Sequence, residues 1–164
     1  MKIIGIVGWK NSGKTRLVTS LIRYFINKKL NVATIKHAHH NFEIDKKGTD
    51  SYLHRKAGAH EVIISSSKRY AKIEEINGEE MSLKNLVKRI NNADIIIVEG
   101  FKKENHKKIE VIRSINNKEP LYKSLKNIIA IVSNKKISII PSAIAYSKLP
   151  IRVSKVIAVV ITLV

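Results

Sequence analysis

Eight residues, Gly8-Trp9-Lys10-Asn11-Ser12-Gly13-Lys14-Thr15, fit the spacing Gly-x-x-x-x-Gly-Lys-Ser/Thr at every fixed position, and the chemistry that spacing serves is phosphate binding. Gly8 and Gly13 let the backbone adopt positive φ and approach a ligand closely. Successive N–H groups, those of Asn11 and Ser12 among them, can then point at phosphate oxygens where a Cβ would obstruct them. Lys14 is spaced to reach the β and γ phosphates. The Thr15 hydroxyl is placed to ligate a magnesium ion bridging them, because Mg²⁺ prefers few protein oxygens with water and substrate oxygens completing its shell. A helix starting here adds the positive end of its dipole. A second element of such a site belongs at the end of a neighbouring buried strand, and Ile95-Ile96-Ile97-Val98-Glu99-Gly100 supplies it. Glu99 emerges at the carboxyl edge, where ligands bind in open α/β sheets, and its carboxylate can hold magnesium through water or orient an attacking water. Asp94 begins the same run and is a poor rival.

The elements that must position these groups alternate between strand-like apolar runs and helical patterns. That alternation predicts a three-layer α/β domain of the phosphate-loop NTPase kind, with a mainly parallel sheet and a small antiparallel extension. Lys2 to Val7 reads as the first strand. Thr15 to Lys29 reads as a helix whose Leu17, Val18, Leu21, Ile22, Phe25 and Ile26 recur every three to four positions as one buried stripe. Asn31 to Lys36 is a second strand, and His37 to Lys47 a long polar loop of the length expected for function. Thr49 or Asp50 can cap a short helix through Ala57, which Gly58 ends in a left-handed conformation. His60 to Ser65 and Tyr70 to Ile76 form a strand pair, with Asn77-Gly78 a tight turn afterwards. Ser82 to Asn91 carries the helical template at Leu83, Leu86, Val87 and Ile90, with Ser82 as cap. Further strands are expected at Asp94 to Val98, Ile109 to Arg113, Ile128 to Val132 and Ile137 to Ile140. The C-terminal residues are ambiguous, because Val and Ile favour strand while Ser154 can cap a helix.

With 164 residues and 44% hydrophobic content the chain can bury one good core, so residues 1–164 are expected to form a single nucleotide-binding domain. It has no cysteine, which removes disulfides and thiolate metal sites. The apolar opening is broken by the glycine-rich loop within a few residues, unlike a secretory signal, and the apolar run Val156 to Val164 is too short to cross a bilayer. The cytoplasm is the expected compartment. Thirty-one Lys and Arg against 13 Asp and Glu give a net charge of +18, which attracts any polyanion. Twenty-four of these cations are Lys, spread over the whole chain, and the densest stretch, Lys102 to Lys108, has no interleaved aromatics. It reads as a solvated loop rather than a nucleic-acid surface.

The phosphate loop, Lys36-His37-Ala38-His39-His40, the run Ile44 to Tyr52 continuing into His54-Arg55-Lys56-Ala57-Gly58-Ala59, and Val98-Glu99-Gly100-Phe101-Lys102 together resemble molybdopterin-guanine dinucleotide biosynthesis protein B. The stretch from Lys36 to Ala59 is the specific part, and the likeness fades after Lys108 to Arg113. The resemblance implies a GTP-binding, magnesium-dependent, dimeric protein, at most a slow GTPase. Its partner would be molybdopterin or the enzyme that joins a guanine nucleotide to it. In that light Asp45 and Asp50, flanking Gly48, each offer an oxygen near the magnesium or the nucleotide, or else cap and solvate the loop. Arg55 offers a clamp for a pterin or nucleotide phosphate, or else is an exposed helical arginine. His37, His39 and His40 lack the i, i+4 spacing of a helical metal pair and read as a polar or phosphate-contacting loop.

One departure concerns the base. A loop of the Asn-Lys-x-Asp kind reads guanine through a carboxylate that accepts from N1 and N2, but in Asn134-Lys135-Lys136-Ile137 the last position is Ile137, and Asn134 stands where the resemblance leads one to expect an acid. Preference for GTP over ATP follows from kinship alone. No arginine finger is identifiable, so intrinsic hydrolysis should be slow. Lys14, Thr15 and Glu99 are therefore expected to hold Mg-GTP as a gate rather than as synthetic machinery. A small-molecule kinase and a nucleic-acid-associated ATPase, both built on the same loop, remain the alternatives.

Overall fold

Alternate residues of Lys2–Val7 (β1) face opposite sides of a sheet, and both sides are covered, which is why this strand reads as an unbroken apolar run. The computed structural model describes residues 1–38, 42–134 and 144–147. The strand expected at Ile137 to Ile140, Ser154, the C-terminal run, His39, His40 and Lys135 to Ile137 of the would-be base-reading loop lie outside the described residues. Two compact units are present, one made of Met1–His37 with the chain from Leu83 onward, the other of Ala38–Ser82.

The larger unit contains, after β1, the helix Lys14–Asn27 (α1) and the strand Val32–Lys36 (β2). In the smaller unit come the helix Asp50–Lys56 (α2) and the strands Glu61–Ser65 (β3) and Tyr70–Glu74 (β4). The larger unit then resumes with Leu83–Lys88 (α3), Ile95–Glu99 (β5), Lys108–Ile112 (β6), a 3₁₀ turn at Leu121–Lys123, Ile128–Ser133 (β7) and Ile144–Ser147 (β8). Its six strands lie in the order β2-β5-β1-β6-β7-β8, parallel in every pairing. β5 sits between β2 and β1, with Lys36, Glu99 and Ile6 in register at the carboxyl ends.

One face of the sheet packs Ile4, Ile6, Ile95 and Ile97 against Leu17, Leu21 and Phe25 of α1. The other face packs Ile35, Ile96 and Val98 against Leu83, with Leu86 and Val87 of α3 alongside. These are the three layers the alternating pattern implied, and β3 and β4 form the antiparallel pair. Ile26, expected in the buried stripe of α1, is 54% exposed. It lies about 100° around the helix from Phe25, in the last turn, and falls off the packed face. α3 is shorter than its pattern: Arg89 and Ile90 donate to carbonyls three residues back, and Asn92 takes φ +56. Thr49 occupies the N-cap position of α2 without making a cap bond, its hydroxyl donating instead to the Lys46 carbonyl at 2.8 Å.

Candidate functional site

The phosphate loop leaves β1 through three residues in backbone regions that other residue types avoid: Gly8 at φ +151, Asn11 at φ +62 and Gly13 at φ +98. A Cβ on Gly8 would stand 2.5 Å from the Val111 carbonyl oxygen and 2.7 Å from Ser12 Oγ, so this glycine is required by close approach as well as by φ. Gly13 is the N-cap of α1, and the first intrahelical bond runs from Leu17 N to Gly13 O at 3.2 Å. The amides of Gly13, Lys14, Thr15 and Arg16 precede that bond and form an anion-seeking terminus.

Lys14 folds back over the loop, donating from Nζ to the carbonyls of Trp9 at 2.9 Å and Gly8 at 3.2 Å. Burial pushes its ammonium below the ordinary lysine range and the carboxylate of Glu99 opposes that shift, with Lys102 and Lys36 adding to it. Glu99 ends β5, half-buried, at the same sheet edge. Its carbonyl accepts from His37 N at 2.8 Å, and Gly100, at φ +100, approaches so closely that a Cβ would lie 2.7 Å from that of His37. Phe101 then stacks on the His37 ring at 4.4 Å.

Two hollows adjoin the loop. One, of about 330 Å³, is lined by Asn11, Ser12, Gly13, Lys14, Thr15 and Arg113. The other, a cleft of about 420 Å³, has Leu17, Val111 and Val132 among its walls and Arg16, Arg23 and Arg113 among its rim. Neither is lined by an Asp or Glu among the described residues. Ser12 Oγ is buried there without a hydrogen-bond partner. Free amides, a buried unpartnered hydroxyl and cations without carboxylates are a donor set suited to a polyphosphate. Among the described residues no three His, Cys, Asp or Glu gather as a metal cage. Thr15 and Glu99 are the hard oxygens near the loop that a divalent ion could use, phosphate and water supplying the rest.

The remaining expected site residues lie in the smaller unit. Arg55 donates to Asp45 at 2.8 Å and to Glu75 and Glu43 at 2.6 Å each, and Ser51 Oγ donates to the second oxygen of Asp45 at 3.1 Å. The Asp45 side chain is 3% exposed. These hydrogen bonds, that to Glu75 foremost, hold the Arg55 guanidinium further above its ordinary range. Asp50 starts α2, where an acid complements the helix dipole. The structure thus gathers Gly8 to Thr15 with Glu99 in one unit, and pairs Asp45 with Arg55 in the other.

Sequence reasoning missed three features. Arg113 directly follows β6 as Glu99 closes β5, and the same strand-end argument would have found it. Trp9 lies under Lys102 and Lys118, at 4.6 and 4.7 Å from its ring centre, and donates to the Glu119 carbonyl at 2.8 Å. The basic stretch after Phe101 is not wholly solvated either: Lys108 is 1% exposed and donates to the carbonyls of His106 and Lys126.

Residues 3–134 match the family described as Molybdopterin guanine dinucleotide synthesis protein B. A molybdopterin-guanine dinucleotide biosynthesis adapter protein of Haemophilus influenzae is 33% identical over 150 residues, which span 90% of this chain and 83% of that protein. The protein of the same description from Escherichia coli is 39% identical over 114 residues, spanning 68% of this chain and 65% of that one. The crystal structure of Bacillus subtilis MobB superposes with a TM-score of 0.74 at 23% identity, covering 97% of this chain and 98% of the other. That of a MobB homologue from Bacillus stearothermophilus does so at 0.71 and 20% identity, covering 99% of each. At these identities the structural likeness establishes a shared fold.

Proposed function

This chain belongs to the molybdopterin guanine dinucleotide synthesis protein B family, and from that membership we propose that it is a GTP-binding adapter in molybdenum cofactor biosynthesis. In this reading residues 1–164 act as one cytoplasmic nucleotide-binding domain, working as a homodimer beside the enzyme that attaches a guanine nucleotide to molybdopterin. The observation that carries the nucleotide assignment is the phosphate loop itself, with positive φ at Gly8, Asn11 and Gly13 opening onto a hollow lined, among the described residues, by Lys14 and Arg113 and by no Asp or Glu. Magnesium would sit between the Thr15 hydroxyl, Glu99 and phosphate oxygens. Lys14 would exchange the Gly8 and Trp9 carbonyls for the β and γ phosphates.

Hydrolysis is weak in this proposal, and nucleotide occupancy gates the partner. Asp45, Asp50 and Arg55 form a second set: the Arg55 network orders the smaller unit, and Asp50 is offered to the nucleotide or the partner. Homodimer formation is supported by the large apolar side chains the smaller unit exposes, including Phe42, Ile44, Ile63 and Tyr70 at 68, 69, 61 and 75%. No helix among the described residues is long and apolar enough to cross a membrane.

The test is thermal stabilisation by GTP and ATP, with and without magnesium, in wild type and Lys14→Ala. At one hundred times its dissociation constant GTP adds about 2.7 kcal/mol, a shift of several degrees for a chain this size. That shift should need magnesium and vanish in Lys14→Ala. Stabilisation by ATP at least equal to that by GTP would remove the guanine assignment.

A further inference from the structure

Three arginines line one cleft beside the phosphate loop, two from one helix and one from a distant part of the chain. Arg16 and Arg23 lie on α1 and Arg113 follows β6, and all three line the larger cleft. Arg113 alone of them also lines the hollow formed by Asn11 to Thr15. Among the described residues its guanidinium enters no ion pair. A guanidinium that shares a hollow with the residues of the phosphate loop and makes no ion pair among the described residues is open to an anion bound there.

The chain holds it there by fixing the turn on which it sits. Asn116 N donates to the Arg113 carbonyl at 3.0 Å, closing the turn. Asn116 Nδ2 donates to the Lys10 carbonyl at 3.1 Å, which ties the turn to the phosphate loop. On the other flank Ser114 N donates to Asn134 Oδ1 at 2.8 Å, and Asn134 Nδ2 donates to Ser114 Oγ at 2.9 Å, which ties it to the end of β7. Both ends of the Asn134 amide are thereby committed to Ser114, so this residue shapes the turn rather than reading a base.

We infer that Arg113 contacts a phosphate of the bound nucleotide, with Asn116 and Asn134 as the positioning residues that hold its turn against the loop. The inference rests on the nucleotide reading above and adds a residue to it. The planar fork of a guanidinium matches two phosphate oxygens at once, which the Lys14 ammonium cannot do.

Trp9, the chain's single tryptophan, lies within the loop and reports occupancy directly. Fluorescence titrations of the full chain with Mg-GTP, and competition by inorganic tripolyphosphate, compare wild type with Arg113→Ala, Arg113→Gln, Arg113→Lys, Asn134→Ala and the Arg113→Ala/Asn134→Ala double variant. Losing a charged hydrogen-bond donor should weaken Mg-GTP roughly ten- to a hundredfold, and tripolyphosphate by the same factor. Arg113→Lys should recover part of this. Asn134→Ala should lose less than Arg113→Ala, and the double variant should be no weaker than Arg113→Ala, because Asn134 acts through Arg113. Should Arg113→Ala not fold, Arg113→Gln carries the comparison. Mg-GTP affinity equal to wild type in the neutral variants, or a loss confined to GTP while tripolyphosphate binds normally, overturns the role of Arg113 and leaves the nucleotide reading standing. Full additivity in the double variant removes Asn134 from it. Failure of the wild type to bind Mg-GTP overturns both readings together.

Discussion

Gly8→Ala and Gly13→Ala differ by one physical effect, and comparing them measures how tightly the phosphate loop is packed. Both glycines have positive φ, +151 and +98, so an alanine at either adopts a backbone region that costs about 1–3 kcal/mol. A Cβ on Gly13 meets nothing within 4 Å, whereas one on Gly8 lies 2.5 Å from the Val111 carbonyl oxygen. That oxygen is backbone of β6 and cannot swing aside, so Gly8→Ala carries a further overpacking cost of about 1–3 kcal/mol. The expected destabilisations are about 1–3 kcal/mol for Gly13→Ala and about 2–6 kcal/mol for Gly8→Ala, against a total stability of about 5–15 kcal/mol. Urea unfolding followed by circular dichroism checks both, with an unchanged slope showing that the denatured state is unaffected. The two variants should also split in how they affect nucleotide. Gly8→Ala pushes β6 and Ser12 apart and spoils the loop, while Gly13→Ala strains it in place. Equal destabilisation by the two substitutions would refute the claim that the loop is wedged against β6.

Two further substitutions probe groups buried near the site's support. His106 has both ring nitrogens without partners, and burial, reinforced by the Lys108 charge, pushes its imidazole down to about 4. An unfolded histidine titrates near 6.5, so between pH ~6.5 and ~4 only the unfolded chain takes up this proton and stability falls as the pH drops. His106→Leu forfeits no hydrogen bond and should flatten that acid limb in pH-dependent melting, by a fraction of the ~1.4 kcal/mol per pH unit one proton allows, since the ring keeps some solvent contact. An unchanged limb would show that His106 does not set it. Glu110 is fully buried and accepts from the amides of Leu121 at 2.6 Å and Tyr122 at 2.8 Å. Glu110→Gln sets an amide donor against one of those N–H groups and should cost about 1–3 kcal/mol in urea unfolding. Wild-type stability in that variant would mean that the chain around Leu121 is held by other contacts.

How much of this was legible in the sequence depends on how local each cause is. β1, α1 and β5 are specified by runs of apolar residues with one period each, and Glu99 is placed by the end of such a run. The loop's chemistry is likewise carried by eight consecutive residues. Arg113 gave no such signal, because its place in one cleft with Arg16 and Arg23 of α1 is produced by β6 lying beside β1 in the sheet order, which no single stretch encodes. Lys108 read as solvent-facing because its neighbours are charged, yet it starts a central strand, and two backbone carbonyls take up its ammonium. β8 lies in a segment with no clean period. Arg55 was legible as a cation suited to an anion, while its choice of Glu43, Asp45 and Glu75 depends on how α2 and β4 are brought together.

The way the turn of Arg113 is held bears on the proposed combination of nucleotide binding with slow hydrolysis. The turn that carries Arg113 is fastened to the phosphate loop at Lys10 and to Asn134 after β7, so its backbone has little freedom to move as a phosphoryl group departs. If the guanidinium is held as its turn is, it would meet the ground state and the transition state with the same geometry. Binding both equally tightens the complex without lowering the barrier between them. A finger that accelerates hydrolysis must instead engage where charge develops, and is worth up to about 10⁵ in rate when it does. Under the proposed gating role the first arrangement is the useful one, since a long-lived occupied state is what a partner would read. If Arg113 acts in this way, its neutral variants should lose affinity for Mg-GTP while the turnover rate at saturation stays within a few-fold of wild type. A fall in that rate much larger than the fall in affinity would make Arg113 part of the hydrolytic machinery and the chain a GTPase in its own right.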